Sequence, residues 1–549
     1  MRDARFSDPS DSRCDLSHRQ PDTSIFLRFA ADQRGGVLVL FTMLMIPMLL
    51  LVGFAMELAL TEFNRTRLQT TSDSASLAAA DLQQSLDSRA VVEDFFEKAG
   101  LEDNLNDVRI VDDDTGRTVT VDAGLDQQAL LARLAGIETW GVSVVGAAKE
   151  SRGDIEIAVA LDNSGSMSWA PGSTSGPAAD PSRMDLLIPA AEAFVDAVQP
   201  LPGERGSTTI SLVPFATQVS LGPDMLSSFN VTSEHEVSDC VTFGATAEFE
   251  STEISTTELL QRTAHHDPVS EAWEGWSLDP DYTVCPTDAD RDILAWSENP
   301  DALKSKIRAM EPYGYTSIEI ATKWAAALLD PSLRSVLTDL AALDGYDYLD
   351  DAVTRGTPLA YDASTVSKYL VIMSDGENTR DWDIREPYRS GLSPVYRLNG
   401  NNSYAYYRNR RWTNRDYYRV SIDRWRSTPG SGATRLTWQE VWADMSVQKF
   451  IGDILSEADS SQTEDQFFDA FVREAGSTWK NDRTEDICQA ARDAGIIIFT
   501  VGMDTYGQGD TTLSNCASST SNFYDVQGLD IAAAFESIAR QINQLRLTQ

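Results

Sequence analysis

Asp162, Ser164 and Ser166 stand at alternate positions of IEIAVALDNSGSMS, where the apolar run 155–161 gives out. A carboxylate and two hydroxyls at that spacing can cap a helix, bind a phosphate, attack an ester or hold a metal. Two further oxygen donors lie far along the chain in comparable settings. Thr316 sits in PYGYTSIEIATKWA just before a helical run, and Asp375 sits in VIMSDGENT at the end of a second apolar run. If these loops meet, two carboxylates and three hydroxyls converge. That set suits a hard divalent cation: Mg²⁺ takes about six oxygens in near-octahedral geometry and keeps some waters. Mn²⁺ and Ca²⁺ are the alternatives. Neutral hydroxyls coordinate without cancelling the charge, so the ion stays electrophilic and would accept a carboxylate from a partner. Such a device recognises and has no need to catalyse.

The competing chemistries fit less of the sequence. SGSM lacks the second glycine of a G-x-S-x-G nucleophile turn, and no histidine follows His266 to serve as its base. The expectation is therefore a non-enzyme. A phosphate loop needs several glycines and a lysine, which DNSGSMS does not have. Helix capping explains Ser164 or Ser166 but leaves Thr316 and Asp375 unexplained. A site closed by loops of the chain itself, with a purely structural metal, stays open.

The elements that must position these residues are readable. IEIAVALD is apolar on nearly every residue, as a parallel strand covered on both faces must be. TTISLVPFAT, YLVIMSD and IIIFTVGM read the same way. Helical runs near 184–201, 301–310, 317–329, 437–456, 464–475 and 482–494 intervene, and an amphipathic helix closes the chain. Strands alternating with helices predict an α/β fold over 154–549, a doubly wound, mostly parallel sheet. Ligands in such sheets sit beyond the carboxyl ends of the strands. Residues 224–295 and 380–435 break the alternation and read as large insertions. The second, YRLNGNNSYAYYRNRRWTNRDYYRVSIDRWR, interleaves guanidinium and aromatic groups. It could pack on acidic surface of its own chain, bind a partner or take an anionic envelope polymer. His265 and His266 read as a solvated loop pair.

Gly36 to Met56 carries no charge and is long enough to cross a bilayer, so a single membrane-spanning helix is expected over 35–60. Its apolar run is too long for a typical signal peptide. Residues 1–34 form a polar tail. Arg19, Arg28 and Arg34 before the span place that tail in the cytoplasm and the bulk of the chain outside it. Leu58, Phe63, Leu68 and Leu77 continue the helix as a stem. VRIVDDD and RTVTVDA read as strands, with a helix near Gln127 to Leu134, completing a small α+β stalk module over 58–150. Cys14 precedes the span; Cys240, Cys285, Cys488 and Cys516 follow it. On an oxidising side those four could form two disulfides in any connectivity, with neighbours pairing as the expectation, or remain free thiols in a reducing compartment. The formal net charge of −39 over 549 residues opposes nucleic-acid binding.

Two resemblances follow from these motifs. The D-x-S-x-S of Asp162, Ser164 and Ser166, with Thr316 in GYTSIEIA and Asp375 in SDGEN, resembles the metal-ion-dependent adhesion site (MIDAS) of von Willebrand factor A domains. This resemblance implies that the serines and threonine contact the metal directly or through water. It implies that the aspartates act partly at one remove, and that a ligand carboxylate completes the coordination. The segment RGGVLVLFTMLMIPMLLLVGFAMELALTEFNRTRLQTTSDSASLAAA resembles the N-terminus of TadE/TadG-like proteins of bacterial Flp (tight adherence) pilus assembly, with Glu57 where an aspartate is often found. The closing AAAFESIARQINQLRLTQ, and Cys488 followed by Cys516, resemble the C-terminus of TadG-like proteins. Together they imply a pilus-assembly or adhesion protein of the bacterial cell membrane with a pilus or envelope protein as partner. A homo-oligomer, and an envelope scaffold with a structural metal, are compatible with the same residues.

Overall fold

The computed structural model describes residues 36–547, except 82–85, 114–115, 130, 152, 174, 201–205, 270–281, 364, 399–402, 412 and 506. The polar tail and Cys14 lie outside the described residues. The chain forms two compact units, which follow one another in sequence at residue 150.

In the first unit, helix α1 (Gly36–Ala80) runs without interruption through Pro47. Its first half exposes a sleeve of Val, Leu, Phe and Met side chains, and it is long and apolar enough to cross a membrane. Further along, Leu68, Ala75 and Ala79 turn into a core shared with α2 (Ser88–Ala99) and three strands, β1 (Leu105–Asp113), β2 (Gly116–Gln128) and β3 (Thr139–Ser151). Asp87 caps α2 by accepting from the Ala90 N–H, and Gly100 ends it at φ 62°. The helix expected at Gln127 to Leu134 is absent: β2 runs to Gln128 and only a 3₁₀ turn, Ala132–Ala135, follows. The buried Glu57 carboxylate explains the difference. It accepts from the Leu131 N–H at 3.1 Å and from Trp140 Nε1 at 3.2 Å, pinning this loop to α1.

The second unit is built on a six-stranded sheet. Its strands are β4 (Asp154–Asp162), β5 (Thr208–Phe215), β8 (Leu294–Ser297), β9 (Val366–Ser374), β17 (Ile497–Met503) and β18 (Phe523–Val526), in the order β18-β17-β9-β4-β5-β8. All neighbours pair parallel except β8, which runs antiparallel to β5. Each face is covered. Ile155, Ile157, Val159 and Leu161 of β4 pack on α3 (Arg183–Val198) and on the closing helix Ile531–Leu547, through Leu187, Phe194, Phe535 and Ile538. Ala158 and Ala160, on the opposite face, are small enough to let a helix approach closely. Helix α4 (Ile318–Ala327) lies there with every residue buried.

Both insertions are folded elements. In the first, β6 (Val241–Thr242) pairs antiparallel with β7 (Gln261–Arg262), and Cys240 and Cys285 are disulfide-bonded. Phe229 and Phe243 pack on Trp324 of α4 with ring centroids at 5.6 and 5.8 Å, so this insertion forms the outer cover of that helix. His266 is fully buried, which corrects the solvated-loop expectation. Its Nδ1 lies 2.8 Å from the Ala264 carbonyl. The second insertion is a five-stranded antiparallel sheet, β11 (Leu392–Arg397), β12 (Tyr404–Tyr407), β13 (Tyr417–Arg419), β14 (Arg424–Arg426) and β15 (Thr434–Thr437). It extends further than 380–435. The helical runs after β15 pack on this sheet through Trp438, Trp442, Phe450 and Phe471, away from the parallel sheet. A short ladder closes the whole excursion, pairing β10 (Asp381–Ile384) with β16 (Val472–Ala475). Helical periodicity announces an apolar face but not which sheet will cover it.

Candidate metal centre

Asp162 ends β4 at the carboxyl edge of the sheet and is fully buried. Its Oδ1 accepts from the Ser164 N–H at 2.8 Å and its Oδ2 from Ser374 Oγ, at the end of β9, at 2.6 Å. These two bonds fix the carboxylate. Ser164 opens a 3₁₀ turn, Gly165–Ser168. The turn brings Ser166 Oγ to 3.1 Å from Ser164 Oγ, and Ser166 Oγ donates to Asp375 Oδ1 at 2.8 Å.

The second loop closes on the first through backbone. Gly165 N–H donates to the Gly314 carbonyl at 2.9 Å and Tyr313 N–H to the Asn163 carbonyl at 2.8 Å. A Cβ at position 165 would stand 3.2 Å from the Gly314 oxygen, so glycine permits the approach. The third loop holds the second. Thr316 N–H donates to Thr379 Oγ1 at 2.8 Å, and Asn378 Oδ1 accepts from Ile318 N–H at 2.7 Å, capping α4. Lys480 Nζ, from helix Ser477–Asp493, donates to the Thr316 carbonyl at 2.9 Å. Asp162, Ser164, Ser166, Thr316 and Asp375 thus lie on three loops that touch pairwise at one edge of the sheet.

Aromatic groups from both insertions support the second loop. Tyr282 stacks on Tyr313 at 5.4 Å, and Tyr315 packs on Trp382 at 5.0 Å.

The electrostatics of the centre are unbalanced. Burial, reinforced by the negative charge of Asp375, pushes the Asp162 carboxyl up to about 7. Burial raises Asp375 as well, opposed by Arg183 and by the Ser166 hydroxyl. Two buried carboxylates, with the Ser164 and Ser166 hydroxyls beside them and Thr316 on the adjoining loop, are a donor set that suits a divalent cation. Among the described residues no cluster of three or more carboxylate, imidazole or thiolate groups suits a metal, so any cation here relies on the hydroxyls.

Among the charged groups at this edge that the sequence alone does not point to are Arg183 and Asp504. Arg183, in the first turn of α3, puts Nη1 at 2.5 Å from Asp375 Oδ2 and Nε at 3.4 Å from Asp504 Oδ2. Asp504 follows β17 at φ 55° and accepts from Gly172 N–H at 2.8 Å and Gly528 N–H at 3.2 Å. A signal for each was present. Arg183 places a cation at the positive end of a helix dipole, which calls for an acidic partner. Asp504 ends VGMD much as Asp162 ends VALD and Asp375 ends MSD.

Comparison with known proteins adds an N-terminal assignment. Residues 35–82 match the family model described as Flp pilus-assembly TadE/G-like, so the chain carries a TadE/G-like domain at its N-terminus. No curated protein matches the sequence. Similar solved structures include the vWF domain of the type V pili tip protein Mfa5 from Porphyromonas gingivalis, 14% identical over 72% of this chain and 96% of that one, with a TM-score of 0.32. The PilB minor pilin from Streptococcus sanguinis is 12% identical over 81% of this chain and 78% of that one, with a TM-score of 0.27. The pilus adhesin SpaC from Lactobacillus rhamnosus GG is 12% identical over 80% of this chain, which spans 34% of the adhesin, with a TM-score of 0.28.

Proposed function

We propose that this chain is a membrane-anchored Flp pilus-assembly or adhesion protein. Its second unit is read as a doubly wound, von Willebrand factor A-like domain on the extracytoplasmic side. It binds Mg²⁺ and engages an acidic residue of a pilus or envelope protein, without catalysis. The observation that carries this reading is the meeting of Asp162, Ser164, Ser166, Thr316 and Asp375 from three separate stretches of sequence at one sheet edge. The hydroxyls of Ser164, Ser166 and Thr316 would hold the ion. Asp162 supplies charge directly, and Asp375 acts through Ser166. A bound cation would offer an open coordination position to an incoming carboxylate. Ser374 and the Ser164 N–H orient Asp162, and Arg183 orients Asp375.

The deep burial of Asp162 and Ser164 favours a second reading, in which the metal only stabilises an envelope scaffold. One experiment separates the two. Full-length protein in detergent is titrated calorimetrically with Mg²⁺, and cross-linking to the pilin of the same cell is measured with and without EDTA. Asp162→Ala is expected to abolish both Mg²⁺ binding and EDTA-sensitive cross-linking. Cross-linking that survives EDTA while the melting temperature falls would establish the scaffold. Mg²⁺ binding undiminished by the substitution would remove the metal centre altogether.

A further inference from the structure

Positive charge is concentrated at one place in this acidic chain. Near the outer edge of the antiparallel sheet, β14 and the loop before β13 enclose an open cleft of about 830 Å³ lined by Arg410, Arg415, Arg424, Arg426 and Trp425. Two arginines nearby are neutralised within the chain, Arg408 by Asp459 at 2.7 Å and Arg397 by Asp444, and Arg419 and Arg435 are taken up by carbonyl oxygens. Among the described residues the four cleft arginines have no ion pair. Arg410 is held without being neutralised, its guanidinium carbon 4.5 Å from the centroid of the Trp425 ring. The intramolecular-docking reading of this segment therefore leaves its guanidinium groups unused. Against a background net charge of −39, they form a local field that draws an anion to this cleft.

We propose that this cleft binds a carboxylated sugar of an anionic polysaccharide. The guanidinium fork matches a carboxylate with two parallel hydrogen bonds. The remaining lining points to a sugar as the bearer of that carboxylate. Thr413 and Asn414 supply neutral donors and acceptors, and Asp423, which accepts from Tyr418 Oη at 2.8 Å, adds a carboxylate. The Asp423 carboxylate accepts from sugar hydroxyls, while its repulsion falls on carboxylate and phosphate alike. Single-stranded nucleic acid is served less well. Its bases need a free aromatic platform, and the Trp425 ring is already stacked by Arg410.

The test uses full-length protein in detergent on surfaces bearing polygalacturonate, neutral dextran, polyglutamate or oligothymidylate, each with and without EDTA. Binding to polygalacturonate is expected, with none to dextran. The exposed pair Arg410→Ala/Arg424→Ala should weaken it at least tenfold and flatten its salt dependence. Arg415→Ala, in the loop, should weaken it independently with an unchanged melting temperature. Equal affinity for polyglutamate or oligothymidylate would show charge attraction alone and overturn the proposal. Indifference to the arginine substitutions would do the same, and loss of binding in EDTA would assign the capture to the metal centre.

Discussion

The Arg183 guanidinium stands between two buried carboxylates, Asp375 and Asp504, from the ends of different strands. A buried charge left without its partner costs about 3–5 kcal/mol. Arg183→Met keeps most of the volume and strands both carboxylates, so a stability loss of that size is expected in urea unfolding. A loss below about 1 kcal/mol would show that water or a cation already compensates the pair. That the loops carrying Asp162, Ser164, Ser166, Thr316 and Asp375 meet at one sheet edge was legible, because Asp162 and Asp375 end apolar runs, where a carboxylate has no reason to be for packing, and Thr316 opens a helical run. Arg183 and Asp504 were not singled out, because each makes sense only through the other, and more than 300 residues separate them in the sequence. The buried Lys480 beneath Thr316 was hidden for the same reason.

At the scale of elements, β4, β9 and β17 were legible from near-continuous apolar runs, a property that only doubly covered strands need. The helices following β15 were legible as helices but not in their allegiance: Trp438, Trp442 and Phe471 pack on the antiparallel insert. The histidine segment failed for a related reason, since a polar stretch buries when a disulfide and an insertion fold over it. The consequence can be measured. Burial holds His266 down to about 4, against an ordinary 6.5, opposed by its bond to the Ala264 carbonyl and the charge of Asp267. The folded value lies below the unfolded one, so the unfolded chain takes the proton first. Stability from this group is complete above pH 6.5 and drains away as pH falls toward 4. The full effect is about 3 kcal/mol. His235 and His265 are lowered too, chiefly by burial, and act in the same direction. His266→Asn can keep a donor at Nδ2 while removing the titration. Its urea midpoint should fall less steeply than the wild type between pH 6.5 and 4, and parallel slopes would contradict the burial of His266.

At the scale of the whole molecule, the location of the second unit and the state of its cysteines are one question. Cys240–Cys285 and Cys488–Cys516 close loops with sequence separations of 45 and 28. Loops of that length constrain the unfolded chain by about 3–4 kcal/mol each. The first bond ties the insertion that covers α4, and the second ties helix Ser477–Asp493 to the helix that follows β17. Such bonds persist only where the compartment is oxidising. An extracytoplasmic second unit therefore predicts two linked results from native membranes. Non-reducing peptide mapping should recover both pairs, and a C-terminal alkaline phosphatase fusion should be active. Dithiothreitol should then lower the melting temperature by several degrees per bond. Free thiols at all four positions, together with an inactive fusion, would place the unit in the cytoplasm and remove the pilus-facing role. Free thiols with an active fusion would keep the location and show that packing alone holds these segments, leaving Phe229, Phe243 and Trp324 to secure the first insertion.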